Sequence, residues 1–382
     1  MRRAIALSVC LAVAGLGAAA GGAGQAAQPA RPAPTTARNI ILFIGDAGGL
    51  PTLNAASLYG YDRPQALFIQ QMPNIALMDT SAADRWVTDS AAGMTAIVTG
   101  RKTNNGVISQ SRAAVRGKSD GELLPTILEY AEARGLSTGV ITNDAITGAT
   151  PAACYAHANN RGNVQEIIAQ LVQPRVGDGV DLIIGSGRKA VHAAAAARGL
   201  DLDAAMRARG YTILAAPEQL RPDAGKALGL TDDSDYNLSA VVAASIAALA
   251  RNRKGYFLMV EWDLHTDEPK TGLDRTLVLD RVVRETVSNA GPVTLVIFAA
   301  DHSFDIRVRG GAQGQPLLPQ AAPGSAAPPN PPLRVDDGHS GEEVVVAAQG
   351  PGAHRIRGFL ANTDLFRIMM TAFGWKEPAG GQ

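Results

Sequence analysis

Five continuous apolar runs punctuate the chain: NIILFIGD (39–46), STGVITND (137–144), VDLIIGSG (180–187), GYFLMVEWDLH (255–265) and PVTLVIFAADH (292–302). Apolarity sustained over such lengths predicts strands buried on both faces of a sheet. Helix-like segments alternate with them at 121–134, 163–173, 202–209, 237–253 and 273–288. The alternation predicts an α/β fold, a three-layer αβα sandwich around a large, mostly parallel central sheet with loop insertions. Ligands in such sheets collect at the carboxyl ends of strands. Four of the five runs end there in polar or charged residues.

A sixth stretch, RWVTDSAAGMTAIVTGRKTNNG (85–106), reads as a tight turn capped by Thr88, Asp89 or Ser90 and followed by a short helix. The first N–H groups of a helix lack intrahelical partners and its dipole end is positive, so an anion could dock there. Taken alone, Ser90 is a cap. It is also a hydroxyl placed to receive a phosphoryl group.

Composition narrows the partners. The 382 residues hold 35 Lys+Arg and 35 Asp+Glu, so no global charge attracts nucleic acid or an anionic membrane, and any anion site must be local. Residues 1–27, with Arg2 and Arg3 ahead of an Ala/Leu/Val-rich run and small residues beyond it, read as a signal peptide. That predicts an exported protein, periplasmic or secreted, with no membrane anchor after cleavage. Residues 28–38 (QPARPAPTTAR) are a Pro-rich flexible leader, and 310–335 an irregular Gly/Pro/Ala-rich insertion or lid. Residues 39–376 form a single domain in this reading. Beyond the signal peptide Cys154 is the only cysteine, which excludes an intramolecular disulfide.

Of six histidines, His265 (EWDLHTDE), His302 (AADHSFD) and His339 (DDGHSGEE) fall in acid- or polar-rich turns, while His157, His192 and His354 do not. Glu261, Asp263 and His265 end one strand, and Asp301 and His302 another. Carboxylates converging on one sheet edge repel each other unless cations are bound. Mixed Asp/His ligation suits Zn²⁺ or a similar first-row ion, and all-oxygen ligation suits Mg²⁺.

The order of motifs is strand–GD, TDSAA, ATPAA…R, strand–E…D…H, strand–DH and HSGEEV, over about residues 39–350. It resembles the alkaline phosphatase family, within the larger alkaline phosphatase-like superfamily of metal-dependent hydrolases. The resemblance implies a phosphomonoesterase with two Zn²⁺ and one Mg²⁺ acting through a phosphoserine. Asp46 would bridge one zinc and the magnesium. Ser90 would be the nucleophile on that zinc, which Asp301 and His302 complete. Asp263, His265 and His339 would hold the other zinc, with Thr150 and Glu261 on the magnesium. Arg161 would clamp phosphate bidentately, a geometry lysine cannot match. Substrates would be small-molecule phosphate monoesters, with no nucleic acid as a specific partner. A homodimer is an open possibility.

Three departures stand out. Glu261, Asp263 and His265 are two residues apart, where the family spaces Glu, Asp and His by five and four, so Asp267 competes with Asp263 as the ligand. Gly148 stands where many relatives carry Asp or His near the magnesium. Ala47 follows Asp46 where the family often has Gly. Local readings also remain: Thr150 as the N-cap before Pro151, Arg161 as a surface arginine, Asp89 as a cap or partner of Arg161, and Lys102 as a solvated lysine. Rival functions are a phosphodiesterase or nucleotide pyrophosphatase of the same superfamily, and a non-catalytic phosphate-binding protein.

Overall fold

The first apolar run forms a strand that is buried at every position, and the rest of the sheet is laid out on either side of it. A computed structural model describes residues 34–318 and 332–376. The expected signal peptide (1–27), residues 28–33 of the leader and residues 319–331 of the insertion lie outside the described residues.

The strands are β1 (Asn39–Asp46), β2 (Asn74–Asp79), β3 (Ser137–Ala145), β4 (Leu182–Ser186), β5 (Thr212–Leu214), β6 (Ala227–Leu230), β7 (Tyr256–Asp263), β8 (Thr294–Ala299), β9 (Ser303–Val308), β10 (Leu333–Ser340), β11 (Val344–Gln349) and β12 (Gly358–Ala361). The helices are α1 (Leu50–Tyr61), α2 (Ser90–Thr99), α3 (Ile127–Glu132), α4 (Ala149–Tyr155), α5 (Val164–Val172), α6 (Arg188–Ala196), α7 (Leu202–Ala208), α8 (Leu238–Leu249), α9 (Pro269–Asn289) and α10 (Asp364–Ala372). Ten strands make one sheet in the order β12-β2-β11-β8-β1-β7-β3-β4-β6-β5. Within it β11 alone runs antiparallel to its neighbours β2 and β8. β9 and β10 form a separate antiparallel ribbon.

Alternate side chains of the central strands enter two different cores, as a period of two requires. Ile40, Leu42 and Ile44 pack with Met94, Ile97 and Val98 of α2, Ala152 of α4 and Met369 of α10. Ile41 and Phe43 pack on the opposite face with Leu53 of α1, Val241 of α8 and Leu279 of α9. This is the three-layer sandwich the apolar runs predict. The same alternation places the polar strand ends. Asp46 continues the row Ile40–Leu42–Ile44, and Glu261 and Asp263 continue Phe257–Met259. Asp301 continues Leu295–Ile297–Ala299, and Thr142 and Asp144 continue from Val140. All of these rows face the α2/α4 layer.

Some elements differ from expectation. The helix expected over 121–134 covers only Ile127–Glu132, because Thr126 starts it with a capping box. Its hydroxyl accepts the Glu129 N–H, and the Glu129 carboxylate accepts the Thr126 N–H. Upstream, Leu123 pairs with Gln110 in a β-bridge instead. Among the described residues no helix is long and apolar enough to cross a membrane.

Candidate active site

Helix α2 is buried along all of its 10 residues and carries Ser90 as its first. Asp89 is its N-cap: the side chain accepts the Ala92 N–H at 3.1 Å and the Gly106 N–H at 3.0 Å. Small residues let the helix lie against the end of β8, and a Cβ added at Gly93 would come within 2.4 Å of the Asp301 carbonyl oxygen. The chain leaving α2 pairs with the segment after α4, Ile108 and Ala158 exchanging both backbone hydrogen bonds. That pairing brings Arg161 back over the helix start, where one guanidinium nitrogen meets Asp89 Oδ2 at 3.2 Å.

Ser90 Oγ lies 3.2 Å from Nε2 of His302. The same nitrogen is 3.2 Å from Asp46 Oδ1 and 3.7 Å from Asp301 Oδ2. His339 stacks on His302 with ring centroids 3.7 Å apart, and His265 stands edge-on to His302 and tilted to His339, its centroid 5.6 Å from each. His339 arrives from β10 through a bulge: Val335 pairs with Ile306, yet His339 pairs with Phe304. Two groups of potential ligand atoms converge, His265–His302–His339 and Asp46–Asp301–His302, each within 4.8 Å.

The hydrogen bonds fix how the rings present themselves. His302 Nδ1 lies 3.1 Å from the Ser303 carbonyl oxygen and His339 Nδ1 3.0 Å from that of Thr88. His265 Nδ1 lies 2.7 Å from Asp263 Oδ1. A carbonyl oxygen only accepts, so Nδ1–H donates and the neutral ring offers Nε2 as a free lone pair. Buried Asp46 Oδ1 has no well-aligned donor of its own. Imidazole nitrogens, carboxylates and an orphaned buried oxygen together fit a divalent first-row cation.

The remaining sequence candidates flank these groups. Glu261 is buried and takes the hydroxyl hydrogen of Thr142. Thr150 donates to Asp301 Oδ2 at 3.4 Å rather than to Glu261. Asp263 is the register partner of Asp46 across β7 and β1, half-buried, with Oδ1 on His265 and Oδ2 on Arg275 at 2.9 Å. Asp267 is exposed on the turn beyond. Asp89 performs both tasks considered for it, capping α2 and holding Arg161. Lys102 is not simply solvated; it bonds Asp79 Oδ2 at 2.5 Å and Ser81 Oγ at 2.7 Å.

Crowding of acids shows in the protonation equilibria. Burial and the charge of Asp46 push Asp301 up to about 6, and burial with Asp46 and Asp144 lifts Glu261 far above the usual carboxylate range. Burial also opposes ionisation of Asp46, but His302 outweighs it and pulls that carboxyl well down. Against burial, Asp301 and Asp46 push His302 up to about 9. Burial and the neighbouring His302 lower His339. These acids cannot all ionise together without added positive charge.

Sequence reasoning passed over three residues here. Thr142 anchors Glu261, Arg275 holds Asp263, and Asp144 shares the field of Asp46, Asp263 and Arg161. Thr142 and Asp144 carried a signal in the run STGVITND, whose polar positions alternate toward the same face as Val140.

Comparison with known proteins identifies the family. The family model described as alkaline phosphatase matches residues 37–331. Streptomycin-6-phosphate phosphatase of Streptomyces griseus is 30% identical, covering 90% of this chain and 92% of its own length. Alkaline phosphatase of Escherichia coli (strain K12) is 29% identical over 89% of this chain and 87% of its own. The alkaline phosphatase structure from the Antarctic bacterium TAB5 superposes with a TM-score of 0.72 at 23% identity, covering 90% of this chain and 99% of that one. That of Thermus thermophilus gives 0.74 at 21%, covering 90% and 92%; at these identities the likeness is one of fold. With the family match running from before β1 to beyond β9, the chain belongs to the alkaline phosphatase family.

Proposed function

We propose that this phosphatase is an exported, metal-dependent phosphomonoesterase that works through a phosphoserine on Ser90. The observation that carries the reading is the placement of Ser90 Oγ at the start of α2, 3.2 Å from His302 Nε2. Arg161 is tethered beside it through Asp89. Export is supported by the sequence of residues 1–27 alone.

His265, His302, His339, Asp46 and Asp301 would hold Zn²⁺ or a similar ion, with Ser90 Oγ among the donors. Asp46, Glu261 and Thr150 would hold an oxygen-ligated ion such as Mg²⁺. Such cations would activate the serine hydroxyl and offset charge on the leaving and attacking oxygens. Arg161 keeps one N–H on Asp89, and its other N–H groups are free to hold two phosphate oxygens. The positive end of α2 adds to that hold. Ser90 Oγ, having lost its proton, forms a bond to phosphorus as the bond to the substrate alcohol breaks, and the alcohol leaves carrying a proton. Water then attacks the phosphoserine, the Ser90–phosphorus bond breaks, and the serine regains its hydrogen as phosphate departs.

The arginine favours a monoester, whose dianion carries more charge than a diester. The Streptomyces griseus relative is named for streptomycin-6-phosphate, which makes a phosphate monoester of that kind one candidate substrate here. The test compares rates on p-nitrophenyl phosphate and on bis-p-nitrophenyl phosphate, with acid trapping of labelled enzyme. Faster monoester turnover and label on Ser90, lost in Ser90→Ala, are expected. Faster diester turnover would shift the reading to a phosphodiesterase. Tight phosphate binding without turnover would make the chain a phosphate-binding protein.

A further inference from the structure

Gly148 breaks the turn before α4 at a position whose backbone does not call for glycine. Its φ is −54° and ψ 158°, which any L residue adopts, and its N–H closes an ordinary turn onto the Ala145 carbonyl at 2.7 Å. The reason for glycine is space. A Cβ built there would sit 2.7 Å from Asp144 Oδ2 and 2.9 Å from the Ala145 carbonyl oxygen. The Asp144 carboxylate therefore occupies, in the conformation seen, the volume that a side chain at 148 would fill, and one of the two must shift if both are present.

The location of that carboxylate is specific. Asp144 lies on the face of β3 that continues Val140 and Thr142 toward the α2/α4 layer. Its N–H donates to Thr142 Oγ1 at 2.9 Å, and the same hydroxyl donates to Glu261. The backbone of Asp144 is thus bonded directly to the hydroxyl that anchors Glu261. Its side chain stands in the field of Asp46 and Asp263, opposed by Arg161, and is itself open to solvent. It belongs to neither group of converging ligand atoms. A small hard cation such as Mg²⁺ keeps several of its waters, and those waters need acceptors beyond the inner ligands.

We propose that Asp144 is the outer acceptor for the waters of the oxygen-ligated cation held by Asp46, Thr150 and Glu261, in place of a side chain at position 148. This rests on the metal reading given above. Asp144 is a positioning residue in this scheme: it acts on the cation through water and touches neither serine nor phosphate.

The experiment reads metal binding rather than turnover. The mature chain is stripped with chelator, reloaded with Zn²⁺, and titrated with Mg²⁺ by calorimetry, with elemental analysis of both metals after gel filtration. The wild type should take up Mg²⁺. Asp144→Asn should weaken Mg²⁺ binding about 10- to 100-fold with zinc content unchanged. Gly148→Asp alone should also weaken it, through collision with Asp144, and Asp144→Ala combined with Gly148→Asp should regain most of the affinity. Wild-type Mg²⁺ affinity in Asp144→Asn would overturn the proposal, as would loss of zinc together with magnesium, which would make Asp144 a support of the fold. Failure of the wild type to bind Mg²⁺ while binding Zn²⁺ would remove the magnesium site itself, and failure to bind either would remove the metal reading, so the two failures are distinguishable.

Discussion

Asp89 and Arg161 lie 72 positions apart and meet at 3.2 Å over the first turn of α2. The two carboxylate oxygens have different duties: Oδ1 caps the helix and takes the Gly106 N–H, while Oδ2 steadies the guanidinium. Substitutions can separate them. Asp89→Ser keeps a capping oxygen and loses the ion pair, so the melting temperature should stay close to wild type while KM for p-nitrophenyl phosphate rises. Asp89→Ala should raise KM and also cost about 1 kcal/mol of stability. Arg161→Lys, which cannot grip two oxygens in the same plane, should lower kcat/KM by about 10- to 100-fold, corresponding to roughly 1–3 kcal/mol. Steady-state kinetics and thermal melts on the three variants check this, and equal KM in Asp89→Ser and wild type would remove the tethering role.

Arg275 fixes Asp263 from behind. It bonds Asp263 Oδ2 at 2.9 Å, Asp235 Oδ1 at 2.7 Å and the Ser234 hydroxyl at 3.0 Å, and Asp263 in turn holds His265. Arg275→Met keeps much of the side-chain bulk and frees Asp263 to turn. Zinc should then leave about 10- to 100-fold more readily in competition with a chelator. Unchanged zinc retention would show that Asp263 is held well enough without it.

Gly93 is a case where helix propensity gives the wrong sign. Gly to Ala in a helix interior normally stabilises by up to about 1 kcal/mol. Here the new methyl carbon would lie 2.4 Å from the Asp301 carbonyl oxygen and 3.1 Å from its carbon, and both are backbone atoms that cannot swing away. Gly93→Ala should destabilise by about 2 kcal/mol and lower metal content, because Asp301 and His302 must shift. Chemical denaturation with elemental analysis measures both effects.

Glu132 gives a pH dependence remote from the site. Burial pushes its carboxyl from 4.5 up to about 7, with Asp181 and Asp178 adding to the push and the Thr138 hydroxyl opposing it. The folded state therefore holds this proton through a range where the unfolded chain has released it. The stability linked to that proton is fully present below pH 4.5 and is lost as pH rises to about 7, a change of up to about 3 kcal/mol. Glu132→Gln should match wild type at pH 4 and exceed it at pH 8. Parallel unfolding curves for the two proteins across that range would contradict this.

Legibility followed burial. β1, β4, β7 and β8 lie within the apolar runs, and β3 passes its run by one residue, because strands covered on both faces leave an unbroken hydrophobic signature. β2, with its mixture of buried and partly exposed positions, and β12, whose Gly358 and Phe359 are exposed, carry no such signature. α1 escaped because its small and polar residues (LPTLNAASLYGY) show no apolar stripe. At the site, Asp46, Asp301 and His302 stand out because each ends a run abruptly. The pairing of Asp263 with Arg275 was not legible, since it joins a strand end to the middle of a helix through a bond that no spacing encodes. Asp144 and Gly148 illustrate the same limit: both residues are plain in the sequence, and their competition for one volume is not.

The position of β1 between β7 and β8 has a consequence for when the protein acquires its activity. Synthesis runs from the amino end, so Asp46, Ser90 and Arg161 exist long before the strands that complete their surroundings. A chain interrupted between residues 161 and 302 owns the proposed nucleophile and anion clamp but lacks the imidazole that faces the serine. Hydrolysis through the proposed serine is therefore expected only once His302 has been made and β8 has closed the middle of the sheet.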